Sequence, residues 1–223
     1  MKNLTPILIY GGTGQSKVIK PIIEQPGNYQ IVKTIIDDTL LPHPPFDVAN
    51  FYCGEKSYET FKELHPNYSE YKFVIAIGNP HGQVRRNLYK KLKSEGMEIC
   101  NVKSPTSTIS WTSPIPVGCQ IHSGVIINPN VQISSYCIFN TGAIVEHDCI
   151  LEEGVEIGPG ATVCGEVKIG ENTWVGAGAT VLPHLNIGKN VIIGAGSVVT
   201  KDIPDGYVVV GNPAKFLKIN KYE

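Results

Sequence analysis

An apolar residue recurs at every sixth position through the C-terminal half of the chain, without a break in phase. Six residues cannot bury their own apolar side, so successive units must stack on one another. The period therefore predicts a parallel β-helix of very short strands separated by corners. The anchor positions are Ile109, Ile115, Ile121, Ile127, Ile133, Phe139, Val145, Leu151, Ile157, Val163, Ile169, Val175, Val181, Ile187, Ile193 and Val199.

Two further registers accompany the anchors. Four residues after an anchor comes a second inward position, which is nearly always small, as in Cys119, Val125, Val131, Cys137, Ala143, Cys149, Val155, Ala161, Val167, Thr173, Ala179, Val191 and Ser197. Three residues after an anchor come residue types that tolerate positive φ, so we expect the corners there. These are Gly118, Gly124, Asn130, Gly142, Asp148, Gly154, Gly160, Asn172, Gly178, His184, Asn190, Gly196 and Asp202.

The repeat divides the chain near residue 105, into a domain of residues 1–105 and a β-helix domain of residues 106–223. In the first domain strands alternate with helices, which indicates a small parallel, Rossmann-like α/β sheet. The predicted elements are strand Pro6–Tyr10, a glycine loop and a helix to about Glu24, strand Tyr29–Ile36, helix Lys56–Leu64, strand Lys72–Ile77, helix Gln83–Glu95 and strand Met97–Val102.

Candidate nucleotide-binding groups follow the strands of this domain. A glycine loop between a strand and a helix can present backbone N–H groups to phosphate, and an acid after the second strand can accept hydrogen bonds from a ribose or a base. Lys17 stands where a full dinucleotide fingerprint needs a third glycine, so a plain turn and a solvated strand end remain alternatives. The candidates are Thr13, Gly14, Gln15, Asp37, Asp38 and Gly78.

Composition excludes several classes of partner. A net charge of -1 and a pI near 6.6 give no basic surface for nucleic acid or a membrane. No signal peptide or spanning segment is recognisable, so we expect a cytoplasmic protein. The six cysteines form no Cys-x-x-Cys pair, so neither a disulfide framework nor a zinc site is expected. Arg85 and Arg86 belong to a lysine-rich helix and are predicted to lie on a solvated face.

His147 is the candidate for acid–base chemistry. It lies two residues after an anchor and precedes Asp148, while the position eighteen residues later is Gly165. Ala177 and Ala195 are small residues of the same hexad register. A general base beside a groove of small residues is what acyl transfer from a long thioester requires. The alternative is a surface histidine.

These features together carry a resemblance that covers essentially the whole chain. The glycine-loop domain with Asp37-Asp38, the segment Ile77-Gly78-Asn79, and a hexapeptide helix containing Asn140-Thr141-Gly142-Ala143 and Glu146-His147-Asp148-Cys149 resemble the bacterial nucleotide-aminosugar N-acetyltransferases. These enzymes serve the bacillosamine and perosamine pathways and are related to sialic acid O-acetyltransferases. The resemblance implies a left-handed β-helix and a homotrimer with active sites between subunits.

The resemblance also implies roles for the site residues. His147 would act as general base with Asp148 orienting its ring, and the Gly165 N–H would hold the thioester oxygen. Ala177 and Ala195 would let the pantetheine of acetyl-CoA, the co-substrate, lie against the backbone. The loop and strand-end candidates would hold the nucleotide sugar, and no metal is implied.

The resemblance is incomplete at two places. Relatives commonly have Gly-His-Gly where this chain has Gly14-Gln15-Ser16, and many have a histidine at the position of Glu156, which would change the charge near the sugar or acetyl group. The expected reaction is acetylation of the 4-amino group of a nucleotide-linked 4-amino-deoxy sugar. We expect the nucleotide to be UDP and the product to serve lipopolysaccharide, capsule or glycoprotein synthesis. O-acetylation of a sialic acid or related sugar is the alternative.

Other mechanisms and classes are weaker. A covalent relay would need Cys149, which is expected to be buried, or Cys164. A zinc enzyme would need converging histidines, whereas His122, His147 and His184 occupy three different registers. The incomplete glycine fingerprint argues against an NAD-dependent dehydrogenase, and a non-catalytic solenoid remains the alternative from another class.

Overall fold

The structure is a computed structural model, and it describes residues 4–28, 30–78 and 80–221. Tyr29, the predicted first residue of the second strand, and Asn79 of the family motif lie outside these residues. The chain divides into two compact units, one of Met1–Gly78 with Asn87–Val102 and one of Asn79–Arg86 with Lys103–Glu223. The short segment 80–86 therefore belongs with the β-helix, which its place in the sequence does not suggest.

The first unit is built on a parallel sheet, in the strand order β3-β2-β1-β4-β5. The strands are β1 Thr5–Tyr10, β2 Gln30–Asp37, β3 Asn50–Cys53, β4 Lys72–Ile75 and β5 Glu98–Ile99. The helices are α1 Gly14–Ile23, α2 Ser57–Leu64 and α3 Gly82–Ser94, with a short 3-10 helix Tyr68–Glu70; residues 82–86 of α3 are those that belong to the second unit. The predicted parallel α/β fold is confirmed.

Two details of this unit differ from the prediction. The edge strand β3 was not predicted, because its four residues are only half-buried and carry no clear alternation. The last predicted strand, Met97–Val102, is shorter in the structure, where β5 covers Glu98–Ile99. Val102 instead begins another short strand, β6 (Val102–Lys103), which belongs to a sheet of the β-helix. The core is formed by near-continuous apolar strands, as expected for a parallel sheet covered on both faces, and Ile7, Ile9 and Ile35 are completely buried within it.

The second unit is a parallel β-helix whose strands are two residues long. Each strand consists of an anchor and the residue before it, and strands eighteen residues apart pair in register, as Ile144 with Thr162 and Val145 with Val163. Eighteen residues therefore make one coil of three strands. The strands are β7 Thr108–Ile109, β8 Gln120–Ile121, β9 Ile126–Ile127, β10 Gln132–Ile133, β11 Ile138–Phe139, β12 Ile144–Val145, β13 Ile150–Leu151, β14 Glu156–Ile157, β15 Thr162–Val163, β16 Lys168–Ile169, β17 Trp174–Val175, β18 Thr180–Val181, β19 Asn186–Ile187, β20 Ile192–Ile193 and β21 Val198–Val199.

Three flat sheets form the faces of this helix. Face 1 contains β7, β9, β12, β15, β18 and β21, and face 2 contains β10, β13, β16 and β19. Face 3 runs through β8, β11, β14, β17 and β20 and ends in β22 (Tyr207–Val210) and the antiparallel β23 (Lys215–Ile219). No helix in the described parts of the chain is long and apolar enough to cross a membrane.

The corners have the predicted backbone conformation. Every predicted corner residue except Asp202 has a positive φ, between 57° and 75°. Tyr136 and Glu166 adopt the same conformation although their residue types do not favour it. Corner amides donate to the coil below, as Gly142 N does to Ser123 O at 2.9 Å. Because each corner repeats every eighteen residues, side chains at equivalent corner positions form columns along the helix.

The interior of the β-helix is a single hydrophobic cluster formed by the two inward registers. Cys119, Cys137 and Cys149 pack in it with no exposed surface, as small apolar residues do. Burial raises the pKa of the Cys149 thiol to about 11. This thiol is therefore protonated at neutral pH and is a poor nucleophile.

Candidate active site

His147 lies at the corner between faces 1 and 2, directly after β12. Its Nδ1 atom is 2.9 Å from Oδ2 of Asp148, and both side chains are about half exposed. Hydrogen bonds from His147 and Asn130 lower the pKa of the Asp148 carboxyl, so it is ionised at neutral pH and can only accept. In the neutral ring, Nδ1 therefore carries the proton and Nε2 presents a lone pair.

Gly165 occupies the same column one coil further on, and the imidazole of His147 lies over it. A Cβ atom at position 165 would be 2.7 Å from both Cε1 and Nε2 of the ring. The Gly165 carbonyl accepts a hydrogen bond from His184 N at 3.0 Å, whereas no partner for the Gly165 N–H is found among the described residues. The imidazole of His147 therefore lies beside a backbone amide that has no hydrogen-bond partner in the described part of the chain.

Asn130 occupies the corner one coil before Asp148. Its side-chain amide donates to Oδ1 of Asp148 at 3.2 Å, and its backbone N–H donates to Oγ1 of Thr112 at 3.0 Å. Both Asn130 and Asp148 have positive φ, of 62° and 58°. A ladder of polar groups along one corner therefore ends at the imidazole of His147. The sequence showed Asn130 only as a corner residue.

Ala177 and Ala195 lie at a different corner, the one between faces 3 and 1. They form an exposed column there, in which Gly196 N donates to Ala177 O at 2.8 Å. They share a hexad register with His147 but follow strands of another face. Within one chain, therefore, the structure does not bring them to Gly165. Both corners border face 1.

Face 1 is uncharged on its outward side, and the side chain of Ile126 in its first coils is 37% exposed. Face 2 differs, because it presents the exposed polar residues Gln132, Lys168 and Asn186. The outward residues of face 1 are Thr108, Ile126, Ile144, Thr162, Thr180 and Val198.

Glu156, expected near the sugar or acetyl group, is buried in an ion pair. It precedes the anchor Ile157, so its side chain points outward on face 3, where residues 82–86 cover it. Its Oε2 atom accepts from Arg85 at 2.9 Å, and its Oε1 atom accepts from Asn140 at 3.1 Å. Arg85 also donates to the Gly154 carbonyl at 2.9 Å. Only 2% of Glu156 is exposed, so in this chain its carboxylate stabilises the packing of the segment.

The prediction of a solvated face is wrong for Arg85 and Arg86, which are 1% and 8% exposed. Arg86 forms ion pairs with Glu153 at 2.7 Å and Glu171 at 2.9 Å, two acids one coil apart in a single column. The signal in the sequence was this acidic column together with Glu156. Its arginine partners are far away in sequence and could not be assigned without the fold.

The two aspartates after β2 have different surroundings. Asp37 is 9% exposed, and its carboxylate accepts from Gly12 N at 2.6 Å and Thr39 N at 2.8 Å. Asp38 is exposed, and its Oδ1 atom accepts from the hydroxyl of Tyr10 at 2.7 Å. Asp37 thus fixes the glycine loop, and Asp38 is the acid that a ligand can reach.

The glycine loop presents Thr13 and Gly14 to solvent at the start of α1, with Gln15 half-buried beside them. Gly11 has a φ of 115°, and a Cβ atom there would be 2.5 Å from the Ala76 carbonyl, so only glycine fits. Gly78 is half-buried after β4. The structure places the loop, the aspartates and Gly78 at the carboxyl ends of β1, β2 and β4, where α/β sheets bind ligands.

The other candidate groups do not form a site. Burial and the nearby Glu146 raise the pKa of the Cys164 thiol. His122 is completely buried, and burial lowers its pKa to about 4. His184 lies at the surface, with Nδ1 3.3 Å from Glu166. No group of three histidine, cysteine or acidic side chains is arranged to hold a metal ion in the described residues.

Two family descriptions match this chain. The PglD N-terminal domain matches residues 6–92, and the bacterial transferase hexapeptide, a description of six repeats, matches residues 166–201. GDP-perosamine N-acetyltransferase of Escherichia coli O157:H7 is 31% identical over 165 residues, which cover 70% of this chain and 69% of the relative.

Solved structures agree over nearly the whole length. PerB from Caulobacter crescentus, in complex with CoA and GDP-perosamine, is 30% identical with a TM-score of 0.80, over 96% of this chain and 97% of PerB. The acetyltransferase domain of PglB from Neisseria gonorrhoeae, in complex with acetyl coenzyme A, is 26% identical with a TM-score of 0.79, over 96% of this chain and 100% of that domain.

Proposed function

Because the chain belongs to the family of bacterial aminosugar N-acetyltransferases that includes GDP-perosamine N-acetyltransferase, we propose that it transfers acetyl from acetyl-CoA to a nucleotide-linked 4-amino-deoxy sugar. Its fold is the Rossmann-like domain and left-handed β-helix of these enzymes. The observation that carries the proposal is the imidazole of His147, which is oriented by Asp148 and lies over the backbone of Gly165.

The geometry supports direct transfer. The sugar amine attacks the thioester carbonyl, and Nε2 of His147 takes a proton from the nitrogen as the C–N bond forms. The Gly165 N–H donates to the oxygen of the tetrahedral intermediate. Collapse breaks the C–S bond and releases CoA, which can recover the proton from the imidazolium. The carboxylate of Asp148 stabilises the imidazolium, as the aspartate of a Ser-His-Asp triad does.

A covalent relay through cysteine has less support. Cys149 is fully buried, and the pKa of the Cys164 thiol is raised. Both thiols would therefore be protonated at neutral pH, which leaves little thiolate for attack on a thioester.

We propose that the active enzyme is a trimer packed through face 1. A three-fold arrangement is a head-to-tail contact that closes on itself, so the two edges of face 1 meet across each interface. One edge carries His147 and Gly165, and the other carries Ala177 and Ala195. The neighbouring subunit would thus supply the small residues against which pantetheine lies. The uncharged outward residues of face 1 suit burial of this kind.

The nucleotide is assigned to the carboxyl edge of the first unit's sheet. Backbone N–H groups of residues 13–15 at the start of α1 suit a diphosphate, and the exposed Asp38 suits a ribose hydroxyl or a base N–H. GDP-perosamine is the acceptor named for two of the relatives. This favours a GDP-linked acceptor over the UDP-linked sugar expected from the sequence.

A panel of acceptors tests the proposal. Release of free thiol from acetyl-CoA is measured with GDP-, UDP- and dTDP-linked 4-amino sugars and with free sialic acid. Turnover confined to one nucleotide-linked amine is the expected result. Turnover with sialic acid alone would identify an O-acetyltransferase. No turnover with any acceptor of the panel would favour a non-catalytic solenoid. A role in surface-glycan synthesis and a cytoplasmic location remain predictions.

A further inference from the structure

We propose that Asn130 is a positioning residue for the general base, acting through Asp148, an inference that rests on the proposed function of His147. The hydrogen bond that the side chain of Asn130 makes among the described residues goes to Asp148 and not to the imidazole. The amide meets the oxygen of Asp148 that the histidine does not use.

The two oxygens of Asp148 are held from opposite sides. Oδ2 accepts from Nδ1 of His147 at 2.9 Å, and Oδ1 accepts from Nδ2 of Asn130 at 3.2 Å. Hydrogen bonds to both oxygens restrain rotation of the carboxylate about its Cβ–Cγ bond more strongly than a hydrogen bond to one oxygen alone. The amide of Asn130 thus sets the plane of the carboxylate and, through it, the direction in which Nε2 points.

This restraint matters because the rest of the same chain does not bury the pair. Within one chain the side chains of His147 and Asp148 are 54% and 50% exposed, so few neighbouring side chains of that chain fix their rotamers. Asn130 is itself anchored, because its backbone N–H donates to Oγ1 of Thr112 and the Asp148 N–H donates to the Pro129 carbonyl. These backbone hydrogen bonds between coils therefore hold the backbone of Asn130, from which its side-chain amide extends, in a fixed position.

The corner conformation alone does not explain an asparagine here. Position 130 has a φ of 62°, which glycine satisfies at several equivalent corners of the same helix, including Gly124 and Gly142. Compared with glycine, an asparagine at this position adds a side-chain amide, and that amide donates a hydrogen bond to Asp148. The substitution Asn130→Gly consequently removes the hydrogen bond to Asp148 and keeps the backbone conformation.

The test is a double-mutant cycle between Asn130→Gly and Asp148→Gly. Asp148 has a φ of 58°, so glycine is compatible with both backbones. We expect Asn130→Gly to lower kcat roughly tenfold, as for loss of one hydrogen bond to a charged group, with KM for both substrates nearly unchanged. In the Asp148→Gly background the same change should alter kcat by less than about twofold, since coupled residues are not additive.

Two further variants test whether the effect is specific to the amide of Asn130. Asn190→Gly removes an asparagine of the same conformation, with a φ of 57°, from another corner, and should keep full activity. Asn130→Asp keeps the shape of the side chain but replaces the donor by a second acid next to Asp148. It should lose more activity at neutral pH than Asn130→Gly, because two adjacent carboxylates repel.

The outcomes separate the inference from the function on which it rests. Full kcat in folded Asn130→Gly, an equal loss in both backgrounds, or a loss confined to KM would overturn the positioning role while leaving the base intact. A His147→Ala enzyme as active as the wild type would overturn the general base and the positioning role together. Circular dichroism of each variant establishes that it is folded.

Discussion

The imidazole of His147 lies against the backbone of Gly165, at a distance that leaves no room for a side chain there. A Cβ atom at position 165 would be 2.7 Å from Nε2. Gly165 has no left-handed φ to require glycine, so the ring itself is the reason that glycine is needed. The eighteen-residue repeat thereby places the imidazole of His147 against the backbone of Gly165.

Substitution of Gly165 by alanine is predicted to disable the enzyme without unfolding it. The new methyl group would push the imidazole away, and a displacement of about 1 Å can cost on the order of a hundredfold in rate. We expect kcat to fall by about that factor in the thiol-release assay, with a native circular dichroism spectrum. The matched control is the neighbouring substitution Cys164→Ala, which should retain full turnover. An active Gly165→Ala enzyme would contradict the site geometry, and an inactive Cys164→Ala enzyme would revive the cysteine relay.

Mixing two inactive variants tests whether active sites are shared between subunits. His147→Ala removes the base from one edge of face 1, and Ala195→Trp blocks the opposite edge. In trimers formed from equal amounts of both variants, about a quarter of the interfaces would join an intact base to an intact alanine. We expect turnover near that fraction of the wild-type value after the variants are unfolded and refolded together. A mixture as inactive as its components would contradict an active site shared between subunits.

The buried ion pair of Arg85 and Glu156 is predicted to control stability. Arg85→Met would leave the Glu156 carboxylate buried without its cation, which typically costs about 3–5 kcal/mol of unfolding free energy. Lys189→Met is the control, because Lys189 and Asp205 form an exposed pair 4.0 Å apart, and such pairs contribute at most about 1 kcal/mol. Urea unfolding followed by circular dichroism measures both. If both variants lost the same free energy of unfolding, the buried pair would contribute no more to stability than the exposed pair.

His122 is predicted to make the fold sensitive to acid. Burial lowers its pKa from 6.5 to about 4, so between these values the unfolded chain binds a proton that the folded chain does not. The free energy of unfolding should therefore be highest above about pH 6.5 and fall as the pH drops toward 4, by up to on the order of 3 kcal/mol from this residue. His122→Gln should flatten that slope, measured by urea unfolding at a series of pH values.

His184→Gln is the matched control, because it makes the same substitution at a surface position. If the wild type and His122→Gln lost stability equally between pH 6.5 and 4, the buried histidine would not be the cause.

The β-helix could be predicted residue by residue because its determinants are local. An anchor such as Val145 is buried, and a corner residue such as Asp148 adopts positive φ, for reasons contained within one hexad. The column of His147 and Gly165 followed from the same repeat. To predict the corner at which Ala177 and Ala195 lie, each hexad must also be assigned to one of the three faces of a coil. The six-residue register alone does not show that assignment.

The contacts that could not be predicted join residues far apart in the chain. Arg85 and Glu156 are 71 residues apart, and the composition of α3 alone indicated a solvated face. Asp37 likewise looked like a ligand-binding acid, whereas its carboxylate accepts the Gly12 and Thr39 amides. In each case a polar side chain had a use inside the fold that only the tertiary structure reveals.

His147 is proposed to be the general base of acetyl transfer. The most direct measurement is kcat for acetyl transfer from acetyl-CoA to a GDP-linked 4-amino sugar by the wild type and by His147→Ala. Loss of a general base costs about 10²–10⁴-fold, so the variant should fall by at least the lower figure while it still binds acetyl-CoA. A His147→Ala enzyme with wild-type kcat would contradict the account.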